Sequence, residues 1–267
     1  MDRPSPISFV PTATELDATS VRADSLSAVG GAPPLARCRI LREREAADRR
    51  LRDLSTRILN VALASTLLVL ALPLMAVIAL AVKLSSSGPV IFSQERVGLD
   101  RRRGPRRRGA RRFQNDRRKR DQGGRVFRIY KFRTMRASNG TEPQVWASRN
   151  DPRVTPVGRF LRAHRLDELP QLINVLKGDM NLVGPRPEQP GIFEELRGSI
   201  QQYPYRQKVR PGITGWAQVN HRYDESLEDV RRKLYYDLEY VRRQSVIKDL
   251  KIIAKTPRVM LFREGSQ

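Results

Sequence analysis

The sequence predicts a mainly α-helical protein with a small β component. We expect a re-entrant membrane helix-break-helix hairpin plus a compact cytosolic α/β lobe with interfacial amphipathic helices. Three observations predict this class. A long apolar run contains a central proline, both of its flanks are strongly basic, and short strand-like and helical patterns follow it. The 267 residues suffice for one such domain with appendages.

The N-terminal part predicts two segments that precede the hairpin. Residues 1–36 are rich in Ser, Ala, Pro and Gly without sustained periodicity, which predicts a disordered tail. Residues 37–57 form a charged, membrane-proximal segment compatible with a helix. The single cysteine, Cys38, excludes an internal disulfide. A formal net charge of +23 favours anionic lipid, nucleic acid or phosphorylated substrates as partners, without choosing among them.

The apolar run, residues 58–84, predicts a membrane segment. Val61 to Val82 is a charge-free stretch of about 22 residues, long enough to span a bilayer. Pro73 at its centre removes a helix hydrogen bond. The flanks carry about +4 (residues 37–57) and about +11 (residues 101–125), and the positive-inside rule places both on the cytoplasmic side. A re-entrant hairpin broken at Pro73 is therefore favoured over a kinked span.

Residues 85–262 predict the main domain, with a basic loop insertion at 101–125 and a short tail at 263–267. The insertion holds about half of the net charge and almost no apolar residues, so we expect a solvated loop. Two interpretations stay open: contact with anionic lipid headgroups, or an insertion that merely tolerates solvent. It lacks the interleaved aromatic residues of a stacking platform, so no nucleic acid is expected.

The remaining patterns place the elements of the lobe. "GPVIFSQERVGL" and "RVFRIYKFRTM" predict strands. "DPRVTPVGRFLRAHRL" predicts a helix capped by Thr155, and "LPQLINVLKGDM" predicts a helix that Gly178 ends. "LVGPRPEQPG" and "RPGITGWAQV" are read as loops. "SLEDVRRKLYYDLEYVRRQS" suits an interfacial or an ordinary surface helix, with an apolar stripe of Leu227, Val230, Leu234, Leu238 and Val241.

Two adjacent carboxylates, Asp167 and Glu168, stand out in this basic chain. They precede Pro170 and an apolar helical stripe, so the ordinary interpretation is capping at a helix N-terminus. The other interpretation is a reactive acid pair, because Arg162 and Arg165 lie just upstream. The two residues alone leave both open.

The order of the motifs resembles the bacterial sugar transferase family, the monotopic phosphoglycosyl transferases. The resemblance covers about three-quarters of the chain and is carried by "GPVIFSQERVG", "FRIYKFRTM", "LDELPQLINVLKGDMNLVGPRPE" and "RPGITGWAQVN". Two departures are Asn60, where the family usually has an acidic residue, and the long basic insertion.

The resemblance implies transfer of a sugar 1-phosphate from a UDP-sugar to a polyprenyl phosphate, with release of UMP, at the cytoplasmic face of the bacterial inner membrane. This is the initiating step of a surface glycan. The resemblance assigns Asp167 as the nucleophile and Glu168 as its partner in Mg²⁺ binding or proton handling. The resemblance also suggests a homodimer, while the basic charge of the chain suggests anionic membrane lipids as partners. The alternative is a non-enzymatic, membrane-tethered basic protein that binds anionic lipid or nucleic acid.

Anionic reactants require fixed cations, and the motifs offer a set of them for substrate phosphates. The candidates are Lys131, Arg133, Arg162, Arg186 and Arg210. Other residues carry weaker expectations: His164 as an exposed helix residue rather than a proton carrier, Trp216 and Tyr223 as interface or core aromatics, and Asp179 and Glu188 as lesser metal ligands.

Overall fold

The computed structural model describes residues 34–100, 123–136, 151–221 and 227–261. The chain divides into two units, Met1–Leu54 and Ser55–Gln267. What is described of the first unit is helical from Pro34 onward. Most of the predicted N-terminal tail, most of the basic insertion, the C-terminal tail and Tyr223 lie outside the described residues.

The apolar run lies within one long helix, α1 (Pro34–Ser85), which contains Pro73. The stretch Asp53–Ser85 is long and apolar enough to cross a membrane, and only 11% of its most apolar window is buried. A core helix would be mostly buried, so this surface is available to lipid. The helix continues through Pro73, so the predicted interruption into two helices is not seen. A proline can bend a helix without ending it, and the re-entrant path stays a prediction.

A β-hairpin follows α1, as the sequence predicts. Strands β1 (Ile91–Val97) and β2 (Val126–Phe132) pair antiparallel, with Ile91 opposite Phe132 and Val97 opposite Val126. Backbone bonds between Gly98 and Arg125 and between Arg125 and Leu99 extend the pairing toward the tip. The basic insertion therefore connects β1 and β2 at the end where the two strands are still paired.

Two short helices follow the hairpin. The Thr155 hydroxyl accepts a hydrogen bond from the Gly158 amide at 2.9 Å and caps α2 (Pro156–Ala163), as predicted. A 3₁₀ turn (Leu166–Glu168) comes next, followed by α3 (Gln171–Lys177). Gly178 ends α3 at φ +82°, which confirms the predicted stop.

The two segments predicted as loops contain regular structure. Strands β3 (Asn181–Val183) and β4 (Gly212–Thr214) pair in parallel. Each has only three residues, and their pairing joins distant parts of the chain, so local patterns did not reveal it. A side chain at Gly212 would meet the backbone of Gly184 and Val183, which explains the glycine there.

Four further α-helices and one 3₁₀ helix complete the described lobe: α4 (Pro190–Ser199), the 3₁₀ helix Tyr203–Lys208, α5 (Trp216–Asn220), α6 (Leu227–Arg242) and α7 (Val246–Leu261). The predicted stripe of α6 is partly wrong. Leu227 is exposed, whereas Asp237 and Tyr240 are buried beside Val230 and Leu234.

The core lies between β2, α3, β3 and α7, with Ala64 of α1 packed into it beside Leu172, Val175 and Met180. A second cluster joins Ile78 and Val82 of α1 to Phe132 and Leu161. Both ends of the apolar segment therefore pack on the same lobe.

Candidate active site

The acid pair lies in the 3₁₀ turn between α2 and α3. Arg165 precedes it in the left-handed region at φ 53°, an uncommon conformation for a side chain with a Cβ. This residue turns the chain after α2 and directs the next turn inward. As a result Asp167 and Glu168 are only 7% and 5% exposed.

The carboxylates do not cap α3. The turn and α3 both begin without a side-chain cap. Instead Glu168 Oε1 accepts hydrogen bonds from Lys131 Nζ at 2.9 Å and from Arg186 Nη2 at 2.6 Å, and Arg186 Nη1 lies 3.3 Å from Oε2. The helix-capping interpretation is therefore wrong for this pair.

The two carboxylates differ in their partners. Lys131 Nζ is 4.0 Å from Asp167 Oδ2, and the Asp167 carboxylate accepts no hydrogen bond from the part of the chain that the structure describes. Glu168 is paired with two cations, whereas Asp167 has unfilled acceptor capacity at the same depth. The more available carboxylate is therefore Asp167.

The electrostatics follow this difference. Burial raises the pKa of Asp167, and Lys131 offsets only part of that effect. Burial would also raise the pKa of Glu168, but Arg186 and Lys131 outweigh it and hold that pKa well below its usual range. Burial lowers the pKa of Lys131 despite the nearby Glu168. Glu168 therefore stays ionised, whereas burial makes the ionised form of Asp167 energetically unfavourable.

The other predicted cations occupy different positions. Arg162 donates through Nε to the Thr134 hydroxyl at 2.9 Å, and its charge acts on Asp167. The remaining guanidinium nitrogens of Arg162 have no hydrogen-bond partner within the described ranges. Arg210 is half-buried beside the β3–β4 pair, where its carbonyl lies close to Gly184.

Arg133 is placed differently from the prediction. It is buried, and its two terminal nitrogens donate to the carbonyl oxygens of Val82 in the last turn of α1 and of Ser86 and Pro89 just after it. Both terminal nitrogens are used by the backbone, and Nε is buried without a hydrogen-bond partner, so the geometry does not support the predicted contact with substrate phosphate. The sequence could not reveal this role. An arginine in a strand-like pattern near Lys131 looks the same whether it binds substrate phosphate or backbone carbonyls.

These motifs match a known family. Residues 51–104 and 106–263 match the profile described as "Bacterial sugar transferase". The chain belongs to the bacterial sugar transferase family. Together with the exposed apolar helix, this membership indicates a membrane-bound protein.

Several relatives of this sugar transferase chain have named activities. It is 44% identical over 199 residues to the UDP-glucose:undecaprenyl-phosphate glucose-1-phosphate transferase of Escherichia coli (strain K12), covering 74% of this chain and 38% of that protein. It is 42% identical over 195 residues to the UDP-N-acetylgalactosamine-undecaprenyl-phosphate N-acetylgalactosaminephosphotransferase of Aeromonas hydrophila, covering 73% of this chain and 41% of that protein. With the UDP-glucose:undecaprenyl-phosphate glucose-1-phosphate transferase of Caulobacter vibrioides (strain ATCC 19089 / CIP 103742 / CB 15), the identity is 39% over 216 residues, covering 80% of this chain and 72% of that protein. The chain therefore spans about two fifths of the first two proteins and most of the third.

The acid pair of the sugar transferase chain fits Mg²⁺ only if substrate phosphates and water complete the coordination of the ion. Within the described residues, no group of three or more His, Cys, Asp or Glu side chains comes together. Mg²⁺ is often held by one or two carboxylates and completed by substrate phosphates and water. The open Asp167 and the less occupied Oε2 of Glu168 suit such a site. The ion would supply positive charge for phosphate oxygens when bound.

A buried ion network supports the loop that carries Arg186. Arg206 donates to the Arg186 carbonyl at 2.9 Å and to Glu188 Oε1 at 3.0 Å, and it pairs with Asp237 at 2.8 Å. Lys233 also donates to Glu188, at 3.1 Å. Glu188 is therefore a structural anion rather than a metal ligand. Arg206 and Asp237 were not predicted from the sequence, although a carboxylate within the apolar stripe of α6 was an available signal.

The lesser candidates lie outside the acid pair. His164 caps the end of α2 and stacks on Phe160, with ring centroids 4.4 Å apart, which agrees with a surface helix residue. Asp179 follows the opposite end of α3 from the acid pair. Trp216 is half-buried, packs against the core and donates to Glu239 at 2.8 Å.

Proposed function

We propose that this chain transfers a sugar 1-phosphate from a UDP-sugar to undecaprenyl or a related polyprenyl phosphate, with release of UMP. The reaction proceeds through an aspartyl phosphosugar on Asp167. The product is the first lipid-linked intermediate of an exopolysaccharide, O-antigen or glycoconjugate.

One observation carries the proposal: adjacent carboxylates have opposite environments. Glu168 is held ionised by two cations, whereas Asp167 is buried, open and raised in pKa. A desolvated carboxylate without hydrogen bonds is a stronger nucleophile than a solvated or paired one. This asymmetry supports Asp167 as the attacking group and Glu168 as the residue that organises Lys131 and Arg186.

The chemistry balances in two displacements. A carboxylate oxygen of Asp167 attacks the phosphorus that bears the sugar, the bond to the bridging oxygen breaks, and UMP leaves with that electron pair. A phosphate oxygen of the lipid then attacks the same phosphorus, and the Asp167 carboxylate leaves. Arg162, Arg186 and Lys131 offset the repulsion between these anions, which would otherwise oppose both steps.

Release of UMP tests this function. The chain in lipid vesicles, with Mg²⁺ and undecaprenyl phosphate, is given a panel of UDP-sugars. We expect UMP from at least one of them, and loss of at least about 10³-fold in Asp167→Asn because the nucleophile is removed. Asp179→Asn is the matched control, since it removes the same charge beyond the far end of α3. UMP release that survives in Asp167→Asn would refute the assigned nucleophile.

The same assay separates the non-enzymatic alternative. A membrane-tethered basic protein would release no UMP from any donor, and deletion of residues 101–122 would remove its binding to anionic vesicles. An enzyme retains UMP release after that deletion. No UMP with folded, membrane-inserted protein would falsify the catalytic proposal.

We further propose that the apolar segment is re-entrant and that the lobe lies on the cytoplasmic face of the inner membrane. Thr56, Asn60 and Ala64 are buried at a spacing of four residues before Pro73, and Ile78 and Val82 repeat that spacing after it. Ala64 packs in the core of the lobe, Asn60 accepts a hydrogen bond from the Leu182 amide, and Ile78 and Val82 pack on Phe132 and Leu161. A bilayer cannot pass between two anchors on one lobe, which supports a return to the starting side.

The exposed side chains of this segment suit contact with lipid. Val69, Leu70, Leu72 and Leu74 around Pro73 are exposed and apolar, as are others along α1 such as Ile58, Val77 and Leu80. The test uses Cys38→Ser as background, with single cysteines at Ser55 and Ser87. In sealed inverted vesicles both should react with an impermeant maleimide. Reaction of only one of them would show that the segment crosses.

A further inference from the structure

The apolar segment is joined to the lobe by two arginines, Arg57 and Arg133, which we call the two clamps. Each guanidinium binds backbone carbonyls in the last turn of a helix or in the residues just after it. One arginine belongs to α1 and reaches the lobe, and the other belongs to the lobe and reaches α1. The substrate chemistry proposed above uses neither.

The Arg133 clamp holds the exit of the membrane helix. Arg133 Nη2 donates to Ser86 O at 2.6 Å and to Val82 O at 3.4 Å, and Nη1 donates to Pro89 O at 2.6 Å. The last carbonyls of a helix lack intrahelical partners, and a cation at that end also suits the helix dipole. A buried arginine that satisfies three carbonyls therefore fixes both the position and the direction of the chain as it leaves the membrane.

Gly88 makes room for this clamp. Its φ is +112°, and a Cβ there would lie 2.6 Å from Arg133 Nη1. Any side chain at this position strains the backbone and displaces the guanidinium. Gly88→Ala is therefore a way to disturb the clamp without removing its charge.

The Arg57 clamp holds the entrance. Arg57 donates through Nη1 to Val175 O at 2.6 Å and through Nη2 to Leu176 O at 2.7 Å, which are carbonyls in the last turn of α3. Asn60, one turn further along α1, accepts a hydrogen bond from the Leu182 amide and donates to Thr56 O at 2.7 Å. This neutral amide both donates and accepts, which a carboxylate at the same place would not do.

Each clamp is linked to the acid pair through one short element, β2 for Arg133 and α3 for Arg57. Arg133 follows Lys131 by two residues at the end of β2, and Lys131 binds Glu168. Arg57 binds the end of α3, a seven-residue helix that begins three residues after Glu168. β2 and α3 are joined to each other through the Asn174 side chain, which bonds Tyr130 N at 3.1 Å and Arg128 O at 2.7 Å. The membrane helix and the acid pair are thus connected through rigid elements.

We infer that Arg57 and Arg133 are positioning residues that set the acid pair at the height of a lipid phosphate, and so serve the lipid half of the reaction. This inference rests on the proposed function. The nucleotide-sugar arrives from water, so it meets the same acid pair and cations whatever their distance from the membrane surface. The lipid phosphate is confined to the headgroup plane, so only its attack depends on that height.

The two half-reactions are measured separately. Exchange of labelled UMP into the UDP-sugar reports the first displacement and needs no lipid acceptor. Transfer of labelled sugar phosphate to undecaprenyl phosphate in vesicles reports both displacements. The variants are Arg133→Lys, Gly88→Ala and Arg57→Lys, all of which keep the charge. Arg128→Ala is the control, since Arg128 has an exposed side chain on the same strand.

For the clamp variants we expect exchange within about twofold of wild type and transfer reduced about 10- to 100-fold, the loss typical of an ångström-scale misplacement of a reactant. A short, detergent-soluble prenyl phosphate should restore transfer, because it is not confined to the membrane plane. The control should keep both rates. Transfer equal to wild type would overturn the inference. So would a parallel loss of exchange and transfer, since the clamps would then support the fold or the donor site.

Failure of the proposed function is distinguishable from failure of this inference. The former appears in the wild-type chain as absence of both UMP exchange and lipid transfer. The latter appears only in the ratio of the two rates among the variants.

Discussion

Neutralising the two adjacent carboxylates should change stability in opposite directions. Glu168→Gln and Asp167→Asn each remove one negative charge from the same turn with almost no change in size. Glu168 is an anion held by two cations, whereas Asp167 is an anion disfavoured by burial. The first substitution should therefore destabilise the folded chain, and the second should stabilise it.

The magnitude for Glu168→Gln follows from the contacts. Loss of this carboxylate removes the ion pairs of Lys131 and Arg186 with Glu168 Oε1, at 2.9 and 2.6 Å, and leaves Lys131 only the longer 4.0 Å contact with Asp167. Breaking a buried ion pair costs about 3–5 kcal/mol, but the Arg186 side chain is 34% exposed and water replaces part of the loss. We expect a cost of about 2–3 kcal/mol, or roughly 5–10 °C in Tm for a chain of this size.

The pH dependence separates the two residues further. The folded pKa of Glu168 is depressed, so its stabilisation is full above its ordinary pKa of 4.5 and is lost only as the pH falls toward the folded value. The folded pKa of Asp167 is raised above 3.8, so its penalty appears as the pH rises through that folded value. At pH values above the folded pKa of both groups, the two variants should shift Tm with opposite signs.

The assay is thermal unfolding in lipid nanodiscs across that range, with Glu194→Gln as control. Glu194 pairs with Arg197 at 3.2 Å, but its side chain is 73% exposed, so we expect a change within about 0.5 kcal/mol. A Glu168→Gln Tm equal to that of the control, or shifts of the same sign in both site variants, would refute the assignment of roles.

Three further outcomes are expected. UMP exchange should fall on the acid side with an apparent pKa above 3.8, because protonated Asp167 cannot attack, and a rate that stays flat down to pH 4 would contradict this. Gly158→Ala should lower the free energy of unfolding by about 2 kcal/mol or more, since its Cβ would collide with the Thr134 backbone. Gly198 faces open space near the end of α4, so Gly198→Ala should raise it by about 0.5–1 kcal/mol. The Tm shifts of the two variants measure both effects. Burial raises the pKa of Asp249 to about 6, so its protonated form stabilises the fold at low pH and that contribution is lost as the pH rises from 3.8 through about 6. The Tm advantage of Asp249→Asn should therefore grow over that interval, and a constant difference would contradict it.

Elements with a local cause were predictable. The alternation in "RVFRIYKFRTM", the Thr155 cap and the Gly178 stop each act within a few residues, and each appears where expected. The β3–β4 pair was not predictable, because two three-residue strands 28 residues apart carry no periodic signal. The helix α7 was not predicted either.

The acid pair shows the same limit at the level of chemistry. The sequence could name Asp167 and Glu168 as candidates, but it could not choose between capping and a cationic cage. That choice depends on Lys131 and Arg186, which come from a strand and a loop on either side of the pair in the chain. Arg133 was misassigned for the same reason, since its partners are carbonyls more than forty residues upstream.

The sequence by itself determined the family, the apolar segment and the candidate acid pair, because each depends on contiguous residues or on the order of motifs. Tertiary structure alone decided which carboxylate is paired and which is open, which arginines lie near the acid pair, and which arginines bind the ends of the apolar helix and of α3. The physical reason is that burial and charge pairing depend on distances between residues far apart in the chain. Two adjacent acids with the same charge therefore acquire different environments only when the lobe folds around them.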